Sequence, residues 1–440
     1  MRDWVLLAVF VSALPFAVRH TWVGVLLWNW ISLMNPHKLS WGFAFNAPFA
    51  AVAAGATLMS LVFTRDKLKM PRDPPVVVLL LLVLWMCVST AIAIDSAASW
   101  EQLSKVLKIQ LMVLVAFAAL QSRKHIELFI WVNVLSVGFY GFKGGIFTIQ
   151  TGGSGRVWGP PGGFIEGNNE LAVALVMVIP LMHHLRTVST RPIVRFGLLG
   201  MMLLSAIAAL GTQSRGALLA ISAMGILFWL RQKKRLVAGI GIAAVAASLI
   251  AFMPKSWEER MDTIQTYEED GSSTSRLVAW RMTINLANDR PWGGGFEVYT
   301  REVYDKYMPE SSGTPVAHSI YFSMLGEHGY IGLFLFVLLF VLSYVLAGRM
   351  RRAALLCGPD AAWVHLLAGM CQVSIVGFAV GGAFLSLAYY DFAYNIIVML
   401  VVANRWMAER SWVHEPHGPF GSGSPGAYVA AKPSLARLHS

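Results

Sequence analysis

The chain returns repeatedly to apolar stretches of about twenty residues, the length a helix needs to cross the hydrocarbon core of a bilayer. Such windows fall at 44–63, 75–94, 105–120, 126–149, 169–185, 194–211, 216–230, 236–252, 319–346, 361–387 and 392–406. The opening 4–34 is interrupted by Pro15 and by Arg19-His20. Read as one broken span it brings the total to twelve; read as two short spans, to thirteen. Twelve is the preferred count. With 56% apolar and 13% charged residues and a mean hydropathy of +0.58, the chain has too little polar surface to cover a soluble globule. It is predicted to be an all-α polytopic membrane protein of about 12 transmembrane helices. Residues 1–18 carry Arg2 and an apolar run but no small-x-small cleavage pattern, so they read as a retained span.

Basic loops stay on the cytoplasmic side of a membrane. One set of short loops carries 18 Lys and Arg: Arg65, Lys67, Lys69 and Arg72, then the clusters at 123–124, 186–195, 231–235, 349–352 and 405–410. The opposite set carries only Lys38, Arg156 and Arg215. The first set is therefore expected inside, with a tail from 409 that is rich in Gly, Pro and Ser and reads as disordered. The net charge of +11 is accounted for by these loops, so nucleic acid is not implied. Cys87, Cys357 and Cys371 are not placed to staple any polar segment.

The one long polar passage, 253–318, holds eleven of the 24 acidic residues and falls on the outer side. It divides the chain into an N-terminal bundle (1–252), this outer segment (253–318), C-terminal helices (319–408) and the tail (409–440). Within it, Trp257, Met261 and Ile264 recur at helical spacing, and so do Phe296, Tyr299, Val303 and Tyr307. Both patches read as amphipathic helices lying on the membrane surface. Between them SSTSRLVAWRMTINLAND starts with capping serines and sets Arg276 and Trp280 on one helix face. RPWGGGFE then breaks the helix, and Gly293, Gly294 and Gly295 suit a close backbone approach or a plain turn.

Parity brings further features to the same side. The loop TGGSGRVWGPPGGFIEGNNE combines Gly and Pro with Arg156, Trp158, Asn168 and Asn169, which suits either a backbone lining a site or a flexible connector. Lys143, in GFKGG, either faces a partner or snorkels to the outer boundary. His318 precedes a span, and Glu327 and His328 lie further along the same helix; the turn Thr212–Arg215 and Tyr389–Asp391 complete the outer set. A lone His or Arg here would be an interfacial side chain or headgroup anchor. Convergence changes the reading: guanidiniums suit a diphosphate, and a neutral imidazole suits a general base.

GTQSRGALLA around Arg215, the R-x-x-x-W of Arg276 and Trp280, PWGGGF from Pro291 and HSIYFSMLGEHGYIG from His318 occur in an order that resembles the O-antigen ligase and polymerase superfamily, especially its O-glycosylation-ligase-like members. WISLMNPHKLSWGF and VWGPPGGFIEGNNELAVAL look like the same subgroup, so the resemblance covers most of the chain up to Glu409. One departure is Ser319, where the family commonly has Asn. The resemblance implies a GT-C-like glycan transferase of the bacterial inner membrane with its active site facing the periplasm. Its donor would be a saccharide on undecaprenyl diphosphate, transferred to lipid A core or another hydroxyl acceptor, with inversion and without metal or other cofactor. By position, His318 would be the base and Arg215 and Arg276 the diphosphate clamp. Arg156, Lys143, Asn168, Asn169, Trp280, Glu327 and Asp391 would be substrate-binding residues. Alternative readings are an O-antigen polymerase, a protein O-oligosaccharyltransferase, a metal-dependent transferase using Glu268-Glu269-Asp270, and a lipid-linked saccharide flippase.

Overall fold

The computed structural model describes residues 1–230, 236–237, 239–241, 243–244, 247, 253–254 and 271–413. Among the described residues every regular element is helical. The N-terminal half runs α1 (Arg2–Arg19), α2 (Thr21–Met34), α3 (Phe49–Phe63), α4 (Pro74–Ala91), α5 (Ser96–Ala119), α6 (Arg123–Gln150), α7 (Asn168–Val188), α8 (Pro192–Gly211) and α9 (Arg215–Leu230). After it come α10 (Gly271–Asp289), α11 (Arg301–Tyr307), α12 (Ile320–Leu356), α13 (Ala362–Gly382) and α14 (Asp391–Ala408). Among the described residues seven helices are long and apolar enough to cross a membrane: α4, α5, α6, α7, α8, α12 and α13 with its preceding turn; α2, α3 and α9 are apolar but shorter. Length and composition thus support a multi-pass membrane protein and seven spans of the twelve expected. The expected span at 236–252, the acidic run 268–270, the patch at Trp257, Met261 and Ile264 and the tail beyond 413 lie wholly or mostly outside the described residues.

The first 34 residues form two helices rather than one broken span. His20, between them, is extended (φ −130°, ψ 112°), and its ring Nδ1 lies 3.2 Å from Asp66. At the other end Asp3 accepts the backbone N–H of Ala44 (3.1 Å), and the Trp4 and Phe43 rings meet with centroids 5.2 Å apart. α1 and α2 are therefore an antiparallel hairpin whose N-terminus lies beside the segment that joins α2 to α3.

The loops sort to two ends. At one, Arg405 donates to the carbonyls of Lys69, Phe117 (3.0 Å) and Leu120 (2.5 Å), Asn404 donates to Asp73 (2.7 Å), and the Arg123 guanidinium sits 5.2 Å from the Trp363 ring centre. Three of the charged loops expected on one side, those at 65–72, 123–124 and 405–410, thus meet at one end of the bundle. At the opposite end lie the 36–46 segment, the Gly-rich loop, the α8–α9 turn and the start of α14.

α7 and α13 are the most enclosed of the candidate spans, and α8 is the least. α14 is buried along nearly its whole length. Inside the bundle Asn395 of α14 donates through Nδ2 to Asn29 of α2 (2.6 Å) and Asn133 of α6 (2.9 Å), and Asn133 donates to the Phe129 carbonyl (2.8 Å). Buried amides in an apolar bundle must find partners, and hydrogen bonds between membrane helices contribute about 1 kcal/mol each. The three asparagines therefore fix the register of three helices far apart in sequence.

α12 breaks at Gly329, whose φ of 67° and ψ of −166° only glycine adopts readily. The break frees carbonyls in an apolar setting, and the glycine triplet after α10 meets them. Gly294 N–H donates to the Gly326 carbonyl (2.8 Å), Gly295 N–H to that of Glu327 (2.9 Å), and Tyr330 N–H to that of Pro291 (3.0 Å). Trp85 Nε1 takes the His328 carbonyl (2.7 Å). A Cβ at Gly293 would stand 2.4 Å from the Glu327 carbonyl oxygen, and one at Gly329 would stand 2.0 Å from that of Pro291. The close approach foreseen for this triplet is therefore made to a broken helix. The patch at Phe296, Tyr299, Val303 and Tyr307 also needs correction. Only 301–307 is helical, and Val303, Tyr304 and Tyr307 pack with Met282 and Leu286 of α10 instead of lying on a membrane surface. A seven-residue helix buries its apolar face more completely against a neighbouring helix than at an interface.

Candidate functional site

His318 stands at the junction of the outer segment and α12, exposed and in the left-handed region (φ 43°). A non-glycine residue there carries strain on the order of 1 kcal/mol and marks a backbone held by its surroundings. The holding contact comes from α10: Trp280 Nε1 donates to the carbonyl of Ala317 (2.8 Å), one residue before His318, while its ring stacks on Phe322 of α12 (4.6 Å between centroids, 8° between planes). Trp280 thus holds the peptide just before His318 and packs on the first turn of the helix that follows it.

Arg276, one helical turn before Trp280, is near enough to His318 to act on it electrostatically. Although the imidazole is open to solvent on one side, the protein packed around it penalises its charged form, and the Arg276 charge adds to this, so the His318 pKa lies below its ordinary value of 6.5. The imidazole is accordingly neutral at pH 7, the form a general base needs. Arg276 also senses the carboxylate of Glu170, in the first turn of α7. Arg276 therefore acts electrostatically on both an acid, in the first turn of α7, and a base just before α12. Ser319, in place of the family's Asn, has its hydroxyl oxygen buried without a hydrogen-bond partner among the described residues.

Arg215 opens α9, behind Ser214, which accepts the Ala217 N–H (3.3 Å). Phe384 links this turn to the others: its Cβ would lie 3.5 Å from a Cβ at Gly216, and its ring centre lies 6.5 Å from that of Trp280. Asn168 ties α7 to the same turn by donating to the Thr212 carbonyl (2.7 Å), and Asn169 beside it is half-buried. His318, Arg276, Trp280 and, through Phe384, Arg215 are thus gathered at one end of the bundle, bounded by Asn168, Asn169 and Glu170.

Four other candidates are elsewhere. Glu327 is buried and accepts the Tyr389 hydroxyl, which also meets Nε2 of His328 (2.8 Å); His328 Nδ1 meets the Ser89 hydroxyl (2.7 Å). Asp391 is buried and accepts the Ser32 hydroxyl. Lys143 and Arg156 line a separate groove. Glu170 was not among the residues singled out from sequence, although an acid at the head of an apolar window is a signal in itself. Tyr389 and Ser32 carry no such signal, because their partners are distant in the chain. Among the described residues no group of three or more His, Cys, Asp or Glu stands together as a metal would require.

An all-helical bundle with seven candidate spans and a His–Arg–Trp cluster at one end defines a polytopic membrane protein with a polar site at a bundle end. Residues 200–337 match the O-antigen ligase family, so this part of the chain is similar to the O-antigen ligase superfamily. The matched stretch includes Arg215, Arg276, Trp280, His318 and Glu327. Residues 1–190, with Lys143, Arg156, Asn168, Asn169 and Glu170, match a family of unknown function (DUF5935). A search of curated proteins finds no match.

Proposed function

We propose that the protein is a GT-C-like glycan ligase of the bacterial inner membrane that works on the periplasmic face. It transfers a saccharide from undecaprenyl diphosphate to an acceptor hydroxyl, and O-antigen ligation to lipid A core is the reading preferred. The observation that carries the proposal is the neutral, solvent-reachable His318 held beside Arg276 by the Trp280–Ala317 contact.

In this mechanism His318 accepts the proton of the acceptor hydroxyl as its oxygen bonds to the anomeric carbon. The bond from that carbon to the diphosphate oxygen breaks on the opposite face, which inverts the configuration. The departing electron pair stays on the diphosphate, and Arg276 and Arg215 stabilise that charge as a metal would elsewhere. Trp280 positions the base, and Asn169 and Glu170, at the same end of the bundle, serve as hydrogen-bond partners for acceptor sugar hydroxyls in this reading. The 18-to-3 asymmetry of basic residues supports the orientation.

The test is a reaction of the purified full chain with undecaprenyl-diphosphate-linked O-antigen and lipid A core, with chelator present, followed by mass analysis of every product. The expected outcome is lipid A core heavier by the glycan, with free undecaprenyl diphosphate. Lengthened donor glycan would establish a polymerase, and glycan on a protein Ser or Thr an oligosaccharyltransferase. Unchanged donor would reject the transferase reading.

A further inference from the structure

A groove of about 1090 Å³ lies between α1, the 36–41 segment, α6 and the Gly-rich loop. His318, Arg276 and Arg215 are not among its lining residues. Its lining carries four cations, Arg2, Lys38, Lys143 and Arg156, and no carboxylate. Among the described residues none of the four is in an ion pair. Arg2 lies over Trp41, Lys38 over Phe45 and Arg156 over Trp158 (5.3, 4.1 and 5.9 Å to the ring centres). The acids nearby are turned to backbone, Asp3 to Ala44 N–H (3.1 Å) and Glu166 to Gly162 N–H (2.8 Å). Apart from Ser40 and Tyr140 the rest of the wall is apolar, with Val5 and Val9 of α1 and Phe147 of α6 exposed.

Uncompensated cations around one cavity favour a multiply charged anion. An apolar wall on α6, a candidate membrane span, and on the exposed valines of α1 favours hydrocarbon. A soluble phosphate compound would leave that wall unfilled, and a neutral lipid would leave the four charges unmatched. An amphiphile with a phosphorylated head answers both. The position of the groove adds a further constraint. The loop that supplies Arg156 and Trp158 rests its other side on the turn before Arg215: Val157 N–H donates to the Gly211 carbonyl (3.1 Å), and Gln213 Nε2 to those of Gly153 and Ser154 (both 3.4 Å). A transferase acting between two lipid-borne substrates needs two lipid sites that do not overlap but share a boundary, and this loop is such a boundary.

We infer that the groove is the acceptor site, binding the phosphorylated head of a glycolipid whose acyl chains lie along α1 and α6. The inference rests on the transferase reading above. It is tested by native mass spectrometry of the full-length protein in neutral detergent with three separate probes: bis-phosphorylated lipid A, its dephosphorylated form, and undecaprenyl diphosphate. Wild type should retain phosphorylated lipid A and release the dephosphorylated form. Lys143→Ala with Arg156→Ala should weaken lipid A binding about twenty-five-fold, about fivefold for each basic residue removed, and leave undecaprenyl diphosphate binding unchanged. Lys143→Arg should bind as wild type, which excludes misfolding as the cause. Undiminished lipid A binding by the double variant overturns the inference, as does loss of undecaprenyl diphosphate instead, or displacement of lipid A by an acidic peptide. Selective lipid A binding together with transfer onto something other than a phosphorylated lipid overturns the acceptor assignment while the transferase reading stands. No transfer in the complete reaction counts against the transferase reading itself.

Discussion

His318 and His328 lie ten residues apart and serve opposite purposes. His328 is fully buried, with one ring nitrogen on Ser89, the other on Tyr389, and Phe296 edge-on against the ring. It sits at the break of α12, where the glycine triplet and Trp85 take up the freed carbonyls. His318 is exposed, held in a strained backbone conformation, and shares its surroundings with Arg276. A histidine whose two nitrogens are already committed cannot take a proton from an incoming hydroxyl without giving up a contact. The contrast shows how one short stretch supplies a structural imidazole and a reactive one, separated by partners rather than by residue type.

The sharpest way to break this contrast is to remove each ring. His318→Ala should lower transfer by about a hundredfold to ten-thousandfold, the usual loss for a general base, while membrane abundance and thermal unfolding stay as in wild type. His328→Ala should instead destabilise by about 1–3 kcal/mol, since it removes the buried hydrogen bonds that the ring makes with the Ser89 and Tyr389 hydroxyls and leaves a cavity, and should lower transfer far less per folded molecule. Near-normal ligation by His318→Ala at equal abundance would move the base to another group, with Asp391 and Glu327 next in line.

Gly329→Ala probes the sealed region directly. The new Cβ would lie 2.0 Å from the Pro291 carbonyl at a φ of 67°, so a loss of about 3 kcal/mol is expected in detergent unfolding. An unchanged midpoint would mean that α12 straightens at no cost.

The smallest effect is a shift in pH profile. Because the His318 pKa is lowered, the acid limb of transfer should have its midpoint below 6.5 and fall about tenfold per unit beneath it, as the base becomes protonated. Arg276→Gln removes a positive neighbour, which raises that pKa and should move the acid limb to higher pH on top of any loss in rate. His328→Ala should leave the limb in place. An acid limb with its midpoint above pH 6.5 in wild type would contradict the assigned environment.

Much of this was legible in sequence. The windows 75–94, 126–149 and 169–185 became α4, α6 and α7 with ends displaced by a few residues, because twenty consecutive apolar side chains leave a membrane chain few alternatives to a helix. The helix carrying Arg276 and Trp280 and its end before the glycines were legible for the same local reasons. The hairpin of α1 and α2 was not, since Arg19-His20 inside an apolar run marks a polar loop as well as it marks a flaw in one span. Nor was the role of Trp280 toward Ala317, or of Asn168 toward Thr212: each bond joins segments that the chain separates by 37 and 44 residues. Lys143 and Arg156 were legible as unusual outer cations, but their separation from His318 depends on which side of the Gly-rich loop each faces.

The asparagine triad also bears on how the chain is made. Asn29 and Asn133 enter the membrane early in synthesis, whereas Asn395, whose amide nitrogen serves both, belongs to the last long helix described. Until α14 inserts, two amide oxygens wait inside an apolar bundle without the donor they have in the finished protein, so the last helix acts as a key whose arrival closes the fold. A ribosome that stops before residue 391 therefore releases a bundle that is apolar enough to stay in the membrane yet marked as incomplete by its own unsatisfied amides.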